Sequence, residues 1–242
     1  MMLTDRQVAQ FDAFGFCVLR GVLGAGELDT ARAEFDIGLA RAAAGTERRG
    51  IRKQLNWSNL GPDTPFLGLL LEDARFVGRC RAVLRRGVKF AFYLQPLDEH
   101  SGALRFVPGS HKEPLHFDMR KIGIKESNLR VLDAAGLEVD EVPAYVARSE
   151  PGDVIAFDSR VWHASWGGGH DRRMCSLGYF AAPATPAEEE SMAELARQDA
   201  ELLEAFPLLE RPSHWVANPA GSPMRRRWIQ ALRQWGFAGL PG

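Results

Sequence analysis

The sequence predicts a mixed α and β fold, in which a double-stranded β-helix (a cupin-like jelly roll) is flanked by helices. Three observations lead to this prediction: helical patterns fill the first third of the chain, short strands with Gly and Pro turns fill the middle, and helical patterns return near the end. This order is typical of a β-sandwich or barrel covered by helices. We therefore expect one domain over residues 1–242, with the jelly-roll core at about 88–182.

The amino-terminal part is predicted to be mainly helical. Thr4 and Gln7 have the spacing of a capping box, so a short helix should start there and end at Gly15. A strand is predicted over 16–21. Apolar residues at helical spacing that end at a glycine predict a helix over 26–45, and one or two further helices are predicted over 66–86.

The middle of the chain is rich in β-branched and aromatic residues between Gly and Pro turns, which is typical of short strands. The predicted strands cover 88–95, 103–107, 145–148, 154–157, 161–165 and 174–181. A loop is expected over 112–119, and two closing helices are expected over 186–204 and 223–235. Because nearly all the strands are consecutive, we expect them to form one core rather than alternate with helices.

The composition excludes several classes of protein. The net charge is −1 and 45% of the residues are apolar, so no overall field would attract nucleic acid or an anionic membrane. No apolar run approaches the roughly 18 residues of a membrane span, and the first residues lack the apolar core of a signal peptide. Cys17, Cys80 and Cys175 are odd in number and far apart, which is typical of reduced thiols. We expect a cytoplasmic protein without nucleic-acid or membrane partners, and its oligomeric state is not predicted.

Three side chains between residues 150 and 180 have the chemistry of a metal and carboxylate site. His163 is predicted to lie in a strand, Ser165 shares its face two residues later, and Arg173 opens the next strand. A neutral imidazole binds Fe(II), and an arginine forms two charge-assisted hydrogen bonds with a carboxylate. The alternative remains open at this point: a lone strand histidine is more often structural, and Arg173 beside Arg172 would suit a solvated hairpin end.

Four segments together resemble the phytanoyl-CoA dioxygenase family, from Leu3 to about Phe180. They are LTDRQVAQFDAFGFCVLRGVL, VKFAFYLQPLDEHSGALRFVPGSH, EPGDVIAFDSRVWHAS and RRMCSLGYF. The resemblance implies a jelly roll that uses Fe(II), 2-oxoglutarate and O₂ to hydroxylate a small organic molecule. It also implies that His163 is the distal iron ligand, that Arg173 holds 2-oxoglutarate and that Ser165 assists Arg173.

The sequence departs from the family where the other two iron ligands, a His-x-Asp motif, should stand. The predicted helix runs through 82–87 directly into Val88, and no histidine precedes His100, so one or two strands are expected to be missing. The literal motif His116-Phe117-Asp118 follows the Pro-Gly-Ser-His turn instead. We interpret that motif as a coincidence, with a relocated ligand pair as the alternative.

Two functional hypotheses follow. The first is an Fe(II)- and 2-oxoglutarate-dependent oxygenase acting on a small-molecule substrate, with His163 as metal ligand and with Arg173 and Ser165 binding the cosubstrate. The second is an inactive or truncated jelly roll that binds a small molecule without iron chemistry. No separate catalytic residue is predicted, and the identity of the substrate does not follow from the fold.

Overall fold

The computed structural model describes residues 2–45, 55–121, 141–168 and 172–240. The chain divides into two compact units. The first unit comprises Met1–Leu28 and Arg75–Ala181, and the second comprises Asp29–Ala74 and Ala182–Gly242. The first unit contains all the strands of the described residues, in agreement with the predicted position of the core, while the prediction of a single domain stays a prediction.

The first helix begins as its capping box predicts. The Thr4 hydroxyl accepts a hydrogen bond from the Gln7 N–H, and the Gln7 side chain accepts one from the Thr4 N–H at 2.9 Å. Gly15 ends the helix at φ 84°, where its N–H donates to the Phe11 carbonyl. A residue with a side chain would be strained in this left-handed conformation, which explains the glycine.

Six of the helices that the structure describes lie close to predicted positions. The helices are α1 Asp5–Phe14, α2 Ala25–Gly45, α3 Pro65–Leu69, α4 Ala74–Val83, α5 Leu115–Lys121, α6 Pro186–Ala205, α7 Ser213–Ala217 and α8 Pro223–Gln234. Of these, α5 and α7 were not predicted. Short 3₁₀ turns follow α3 and α6. None of these helices is both long and apolar enough to cross a membrane.

In the described ranges seven strands form two antiparallel sheets, the arrangement expected of the jelly roll. The strands are β1 Phe16–Leu19, β2 Gly87–Tyr93, β3 Ser101–Phe106, β4 Tyr145–Val146, β5 Val154–Asp158, β6 His163–Gly167 and β7 Met174–Phe180. The first sheet has the order β1-β5-β2-β7, and the second has the order β4-β3-β6. We call the face of each sheet that is directed toward the other sheet its inner face.

Aromatic rings fill the space between the two inner faces. Phe106 of the second sheet stacks on Phe16 at 4.6 Å and lies 5.3 Å from Phe157, both in the first sheet. Burying each ring contributes about 1.5–3 kcal/mol, so this cluster holds the sheets together. On the outer face of the first sheet, Phe90 packs edge-on against Phe76 of α4 and against Tyr179.

The expected shortage of strands is confirmed in the part of the chain that the structure describes. Helix α4 ends at Val83 and β2 begins at Gly87, which leaves no room for another strand. As a result β7 and β6 are edge strands, one in each sheet. The residues of β7 alternate strictly between exposed and buried, with Ser176 among the exposed ones. The inner-face positions of β7 are therefore open to solvent.

The predicted loop over 112–119 is wrong in its second half, because residues 115–121 form α5. The Glu113 carboxylate accepts a hydrogen bond from the Phe117 N–H at 3.0 Å, and the Lys112 carbonyl accepts one from the His116 N–H at 2.8 Å. These contacts satisfy backbone donors that otherwise remain unpaired at a helix start. Pattern analysis missed the helix because only seven residues form it and it buries a single side chain, Met119.

Candidate functional site

His163 is the first residue of β6, and a backbone carbonyl two residues earlier in the chain orients its ring. Its Nδ1 lies 2.8 Å from the Val161 carbonyl oxygen, which can only accept, so Nδ1 carries the proton and the Nε2 lone pair is available. The ring lies 4.9 Å from the Phe157 ring and 6.0 Å from the Phe106 ring. Metal-binding histidines are commonly oriented by such a carbonyl. The sequence-predicted ligand is therefore well placed to coordinate through Nε2.

The protonation state of His163 follows from its surroundings. Surrounding protein atoms desolvate the ring and lower its pKa, the hydrogen bond to Val161 opposes this, and the nearby Lys89 charge lowers the pKa again. The residue is nevertheless exposed to solvent. Both facts hold for a side chain that is surrounded by protein on most sides and open on one. At neutral pH the imidazole is in its neutral form, the one that binds metals.

Ser165 shares the inner face with His163, as the sequence predicted. The register of β6 with β3 places His163 opposite Phe106 and Ser165 opposite Leu104, and both partners belong to the core between the sheets. Side chains directly opposite each other in antiparallel strands lie on the same face. Ser165 is half-buried, so its hydroxyl lies at the border of this core.

Two arginines precede β7, and strand alternation assigns them to opposite faces of the first sheet. The Leu94 N–H donates to the Arg173 carbonyl at 3.2 Å, which continues the pairing of β2 with β7 and gives Arg173 an outer-face position. Arg172 takes the inner-face position, where its Nη1 donates to the Gly102 carbonyl at 2.9 Å. The role of Arg173 stays a prediction. Arg172, which sequence analysis treated only as its neighbour, lies on the same side as His163.

Lys89 is a charged residue that sequence analysis did not single out. It lies in β2 directly opposite Phe157, at an inner-face position. Burial lowers its pKa, and its charge acts on His163. The sequence could have indicated Lys89, because this lysine interrupts the apolar strand VKFAFY and shares its face of the strand with Ala91 and Tyr93. We call the group Lys89, His163, Ser165 and Ser176 the open inner face.

Tyr93 adds an unsatisfied hydroxyl to the inner side of β2. Its side chain is buried, and its hydroxyl has no hydrogen-bond partner among the residues described. Burial raises the pKa of Tyr93 to about 12, although the charge of Arg172 opposes the rise. The phenol is therefore neutral at physiological pH and can donate a proton to a hydrogen-bond acceptor.

His116 and Asp118 are not brought to His163. Both lie on α5, where residues two apart point in directions about 200° different. His116 Nδ1 donates to the Ser110 carbonyl at 3.0 Å, and Asp118 forms an exposed ion pair with Lys121. These contacts agree with the interpretation of His116-Phe117-Asp118 as a coincidence.

A separate cleft in the first unit contains none of the predicted site residues. It is lined by Phe11, Asp12, Arg85, Arg86, His111, Lys112, Asp158 and Arg160. Two of its cations are paired: Arg85 with Asp12 at 3.3 Å, and Arg160 with Glu113 at 2.8 Å. His111 in this cleft has its Nε2 3.2 Å from the Asp12 carbonyl oxygen and its Nδ1 without a partner among the described residues, but none of the predicted site residues lines the cleft, so we place the candidate site at the open inner face instead.

The residues that the structure describes do not complete an iron site. They contain no group of three or more His, Cys, Asp or Glu side chains that could hold a metal ion. The facial triad used by non-haem iron oxygenases needs two histidines and a carboxylate. His163 alone fits that role, and the two further ligands do not lie beside it in the described ranges.

The fold has many solved relatives at low sequence identity. HygX from Streptomyces hygroscopicus, solved with nickel and 2-oxoglutarate, is 19% identical with a TM-score of 0.58, covering 76% of this chain and 90% of its own. EctD from S. alaskensis with bound Fe is 19% identical with a TM-score of 0.53, covering 74% and 77%. SnoK, a non-heme alpha-ketoglutarate-dependent carbocyclase, is 14% identical with a TM-score of 0.52, covering 73% and 83%. These similarities establish the jelly-roll fold.

Comparison with curated protein sequences gives no significant match. The family comparison does: residues 65–174 match the model described as phytanoyl-CoA dioxygenase (PhyH). This segment contains α4, the strands β2 and β3, and β6 with His163. It ends at Met174, the first residue of β7. This segment of the chain is therefore similar to the phytanoyl-CoA dioxygenase family.

Proposed function

We propose that this chain is a non-haem Fe(II)- and 2-oxoglutarate-dependent oxygenase that acts on a small organic molecule. The observation that carries the proposal is His163, which holds an available Nε2 on the inner face of a jelly roll while Val161 fixes its Nδ1. The family match and the oxygenase structures with the same fold support it. The HygX and EctD structures include complexes with iron and with 2-oxoglutarate, and two of them also contain hygromycin B or 5-hydroxyectoine.

Among the described residues, one of the three ligands that an iron centre of this kind uses is in place. What the chain's own residues provide is a neutral imidazole, a hydroxyl at Ser165 and an inner-face guanidinium at Arg172. Together they can orient a small anion against the inner face through charge-assisted hydrogen bonds.

The cosubstrate clamp is the second part of the proposal. Arg173 and Ser165 are its predicted members, and Arg172 is a further candidate because it occupies the inner-face position before β7. A guanidinium holds a carboxylate with two parallel hydrogen bonds only if it lies on the same side of the sheet. Separate alanine substitutions of Arg172 and Arg173 therefore distinguish the two.

The test is anaerobic addition of Fe(II) and 2-oxoglutarate to the purified protein, followed by visible spectroscopy of the charge-transfer band of the chelate. We expect a saturable band that His163→Ala abolishes and that His116→Ala, the matched histidine control, leaves unchanged. Arg172→Ala should weaken the band more than Arg173→Ala. No band at any iron concentration would refute the oxygenase proposal and leave the metal-free binding protein as the function to pursue.

The proposal also includes a cytoplasmic location and a small-molecule substrate. A cytoplasmic location is supported by the free, buried state of Cys17, Cys80 and Cys175. A small-molecule substrate is supported by the 5-hydroxyectoine and hygromycin B bound in structures with the same fold. Recovery of the native chain from the cytoplasmic fraction, with all three thiols reduced, is the observation that tests the location.

A further inference from the structure

The serine of the Pro-Gly-Ser-His turn is buried, and its hydroxyl both donates and accepts a hydrogen bond. Ser110 is 0% exposed. Its Oγ donates to the Val107 carbonyl oxygen at 2.6 Å and accepts a hydrogen bond from the Trp162 N–H at 2.8 Å. The Val107 N–H in turn donates to the Trp162 carbonyl oxygen at 3.0 Å. The direction of the hydroxyl is therefore fixed, with its proton toward Val107 and a lone pair toward Trp162.

The N–H group that donates to Ser110 belongs to the same peptide group as the carbonyl that orients His163. The peptide bond between Val161 and Trp162 is trans and planar, so its carbonyl and its N–H point in opposite directions. On the far side of this peptide group, the Val161 carbonyl oxygen lies 2.8 Å from His163 Nδ1. An unbroken chain of hydrogen bonds thus runs from the His163 ring through the peptide group to the Ser110 hydroxyl.

The Ser110 hydroxyl acts on both the direction and the strength of the Val161 carbonyl. Because the peptide group is planar, fixing its N–H also fixes the direction of its carbonyl. Hydrogen bonds in such a chain polarise one another, so a peptide N–H that donates makes its own carbonyl a stronger acceptor. Without the hydroxyl, the Trp162 N–H loses its acceptor, and the bond from Val161 to His163 loses this support.

The Val161 carbonyl is the hydrogen-bond partner of the His163 ring among the described residues. The two rings packed against His163, Phe157 and Phe106, are apolar and bond to neither of its nitrogens. Lys89 acts on the ring through its charge alone. A neutral imidazole carries its proton on one nitrogen or the other, and the hydrogen bond of that nitrogen decides which. The choice between the two tautomers of His163 therefore depends on this carbonyl.

We propose that Ser110 is a positioning residue for His163. Through the peptide group between Val161 and Trp162, its hydroxyl holds the His163 proton on Nδ1 and leaves the Nε2 lone pair available to a ligand. The use of that lone pair for Fe(II) rests on the proposed oxygenase function, whereas the tautomer itself requires no metal. A serine suits the position, because its short side chain places a hydroxyl between two backbone groups inside the protein.

Ser149 provides a matched control in the same compact unit. It is 3% exposed, and its hydroxyl has no hydrogen-bond partner among the described residues. Ser149→Ala therefore removes the same buried atom without breaking a hydrogen bond, whereas Ser110→Ala breaks the bonds to Val107 and Trp162. Ser110→Thr keeps the hydroxyl and tests whether that group restores the tautomer.

The experiment is nitrogen-15 NMR of the full chain with labelled histidine, metal-free in excess EDTA and at a pH above the ordinary pKa of histidine. The chemical shifts of Nδ1 and Nε2 report the tautomer, and the signals lost in His163→Ala identify His163. We expect the proton of wild-type His163 on Nδ1. The ratio of this tautomer to the other should fall about two- to tenfold in Ser110→Ala, which corresponds to the net contribution of one hydrogen bond. Ser149→Ala should match the wild type, and Ser110→Thr should restore the ratio.

A proton on Nε2 in the wild-type chain would overturn the proposal, and this result does not depend on how any variant folds. A wild-type ratio in Ser110→Ala, an equal fall in Ser149→Ala or an equal fall in Ser110→Thr would also overturn it. The iron chelate spectrum tests the oxygenase separately. The expected tautomer without a charge-transfer band would refute the oxygenase alone, and a band together with an unchanged ratio in Ser110→Ala would refute the role of Ser110 alone.

Discussion

Replacement of Asp153 by asparagine would remove a buried carboxylate that joins the end of β1 to the start of β5. Asp153 is 5% exposed. Its Oδ1 accepts the Gly21 N–H at 3.0 Å, while its Oδ2 accepts the Glu150 N–H at 2.9 Å and Arg20 Nη1 at 2.6 Å. Strand β5 carries Phe157 to the open inner face, so this turn also positions the site.

The cost of the substitution can be worked out bond by bond. Asparagine can keep the bond to Gly21 through its amide oxygen, but its NH₂ group then faces two donors, the Glu150 N–H and Arg20. Leaving a buried backbone donor unpaired costs about 1–3 kcal/mol. Loss of the ion pair adds less than about 1 kcal/mol, because the Arg20 side chain is 60% exposed. We expect Asp153→Asn to lower the free energy of unfolding by roughly 2–3 kcal/mol.

Urea unfolding followed by tryptophan fluorescence measures this difference. Asp29→Asn is the matched control, because the Asp29 side chain is 76% exposed and makes only a local ion pair with Arg32. The midpoint should fall for Asp153→Asn with little change in slope, and it should stay near wild type for the control. Equal midpoints for the two variants would refute the assignment of the Asp153 carboxylate as a structural link.

The stability difference between the wild type and Asp153→Asn should depend on pH. Burial raises the pKa of Asp153, but hydrogen bonds from the Glu150 and Gly21 N–H groups and from Arg20 outweigh it and hold the pKa below the usual aspartate value. A carboxyl whose folded pKa is depressed stabilises the fold above its unfolded pKa, and this stabilisation is lost as the pH falls through the folded pKa. The gap between wild type and Asp153→Asn should therefore be full at neutral pH and should narrow in acid. A constant gap would contradict the electrostatic part of the argument.

Three further predictions follow from packing. Phe157→Ala should lower the free energy of unfolding in urea by roughly 3–5 kcal/mol, because the Phe157 ring packs between the two sheets. A decrease of less than about 1 kcal/mol would show that the aromatic cluster does not hold the sheets together. Gly168→Ala should lower the melting temperature more than Gly21→Ala, although both glycines have a positive φ. The Cβ added at residue 168 would lie 2.4 Å from the Ser101 carbonyl oxygen, whereas the Cβ added at residue 21 meets no atom within 4 Å. Equal losses would show that only the backbone strain of a positive φ matters at both positions. Burial raises the pKa of Cys80 to about 11 and of Cys175 to about 12, so a thiol reagent should modify the native chain slowly and the denatured chain fast; rapid native labelling would contradict the burial.

Much of the fold was predictable because its signals are local. The capping box at Thr4 and the glycine at residue 15 set both ends of α1, and alternating side chains set β7 to within one residue. Helix α5 was missed because its stability rests on side chains such as Glu113 bonding to backbone donors, which leaves no periodic apolar pattern. Pattern analysis detects buried periodicity, and α5 buries only Met119.

For the site, sequence analysis identified His163 and Ser165 and the face they share, because a two-residue spacing in a strand determines that face. Sequence analysis could not decide which of Arg172 and Arg173 faces inward, because the register of β7 against β2 determines which residue before β7 lies on which face of the sheet. It also passed over Lys89. A single lysine in an apolar strand has no meaning until its cross-strand neighbours are known.

The sequence by itself determined the class of fold, the family resemblance and the loss of the His-x-Asp segment, because each depends on residue types and short spacings along the chain. Only the tertiary structure decided what that loss does. It leaves β6 and β7 as edge strands of the two sheets, opens the inner-face positions of β7 to solvent and sets Lys89 beside His163. The contacts of Lys89 with Phe157 and His163 join residues about 70 positions apart. The free energy of burying or exposing such residues depends on pairing across the sheets, which no local pattern records.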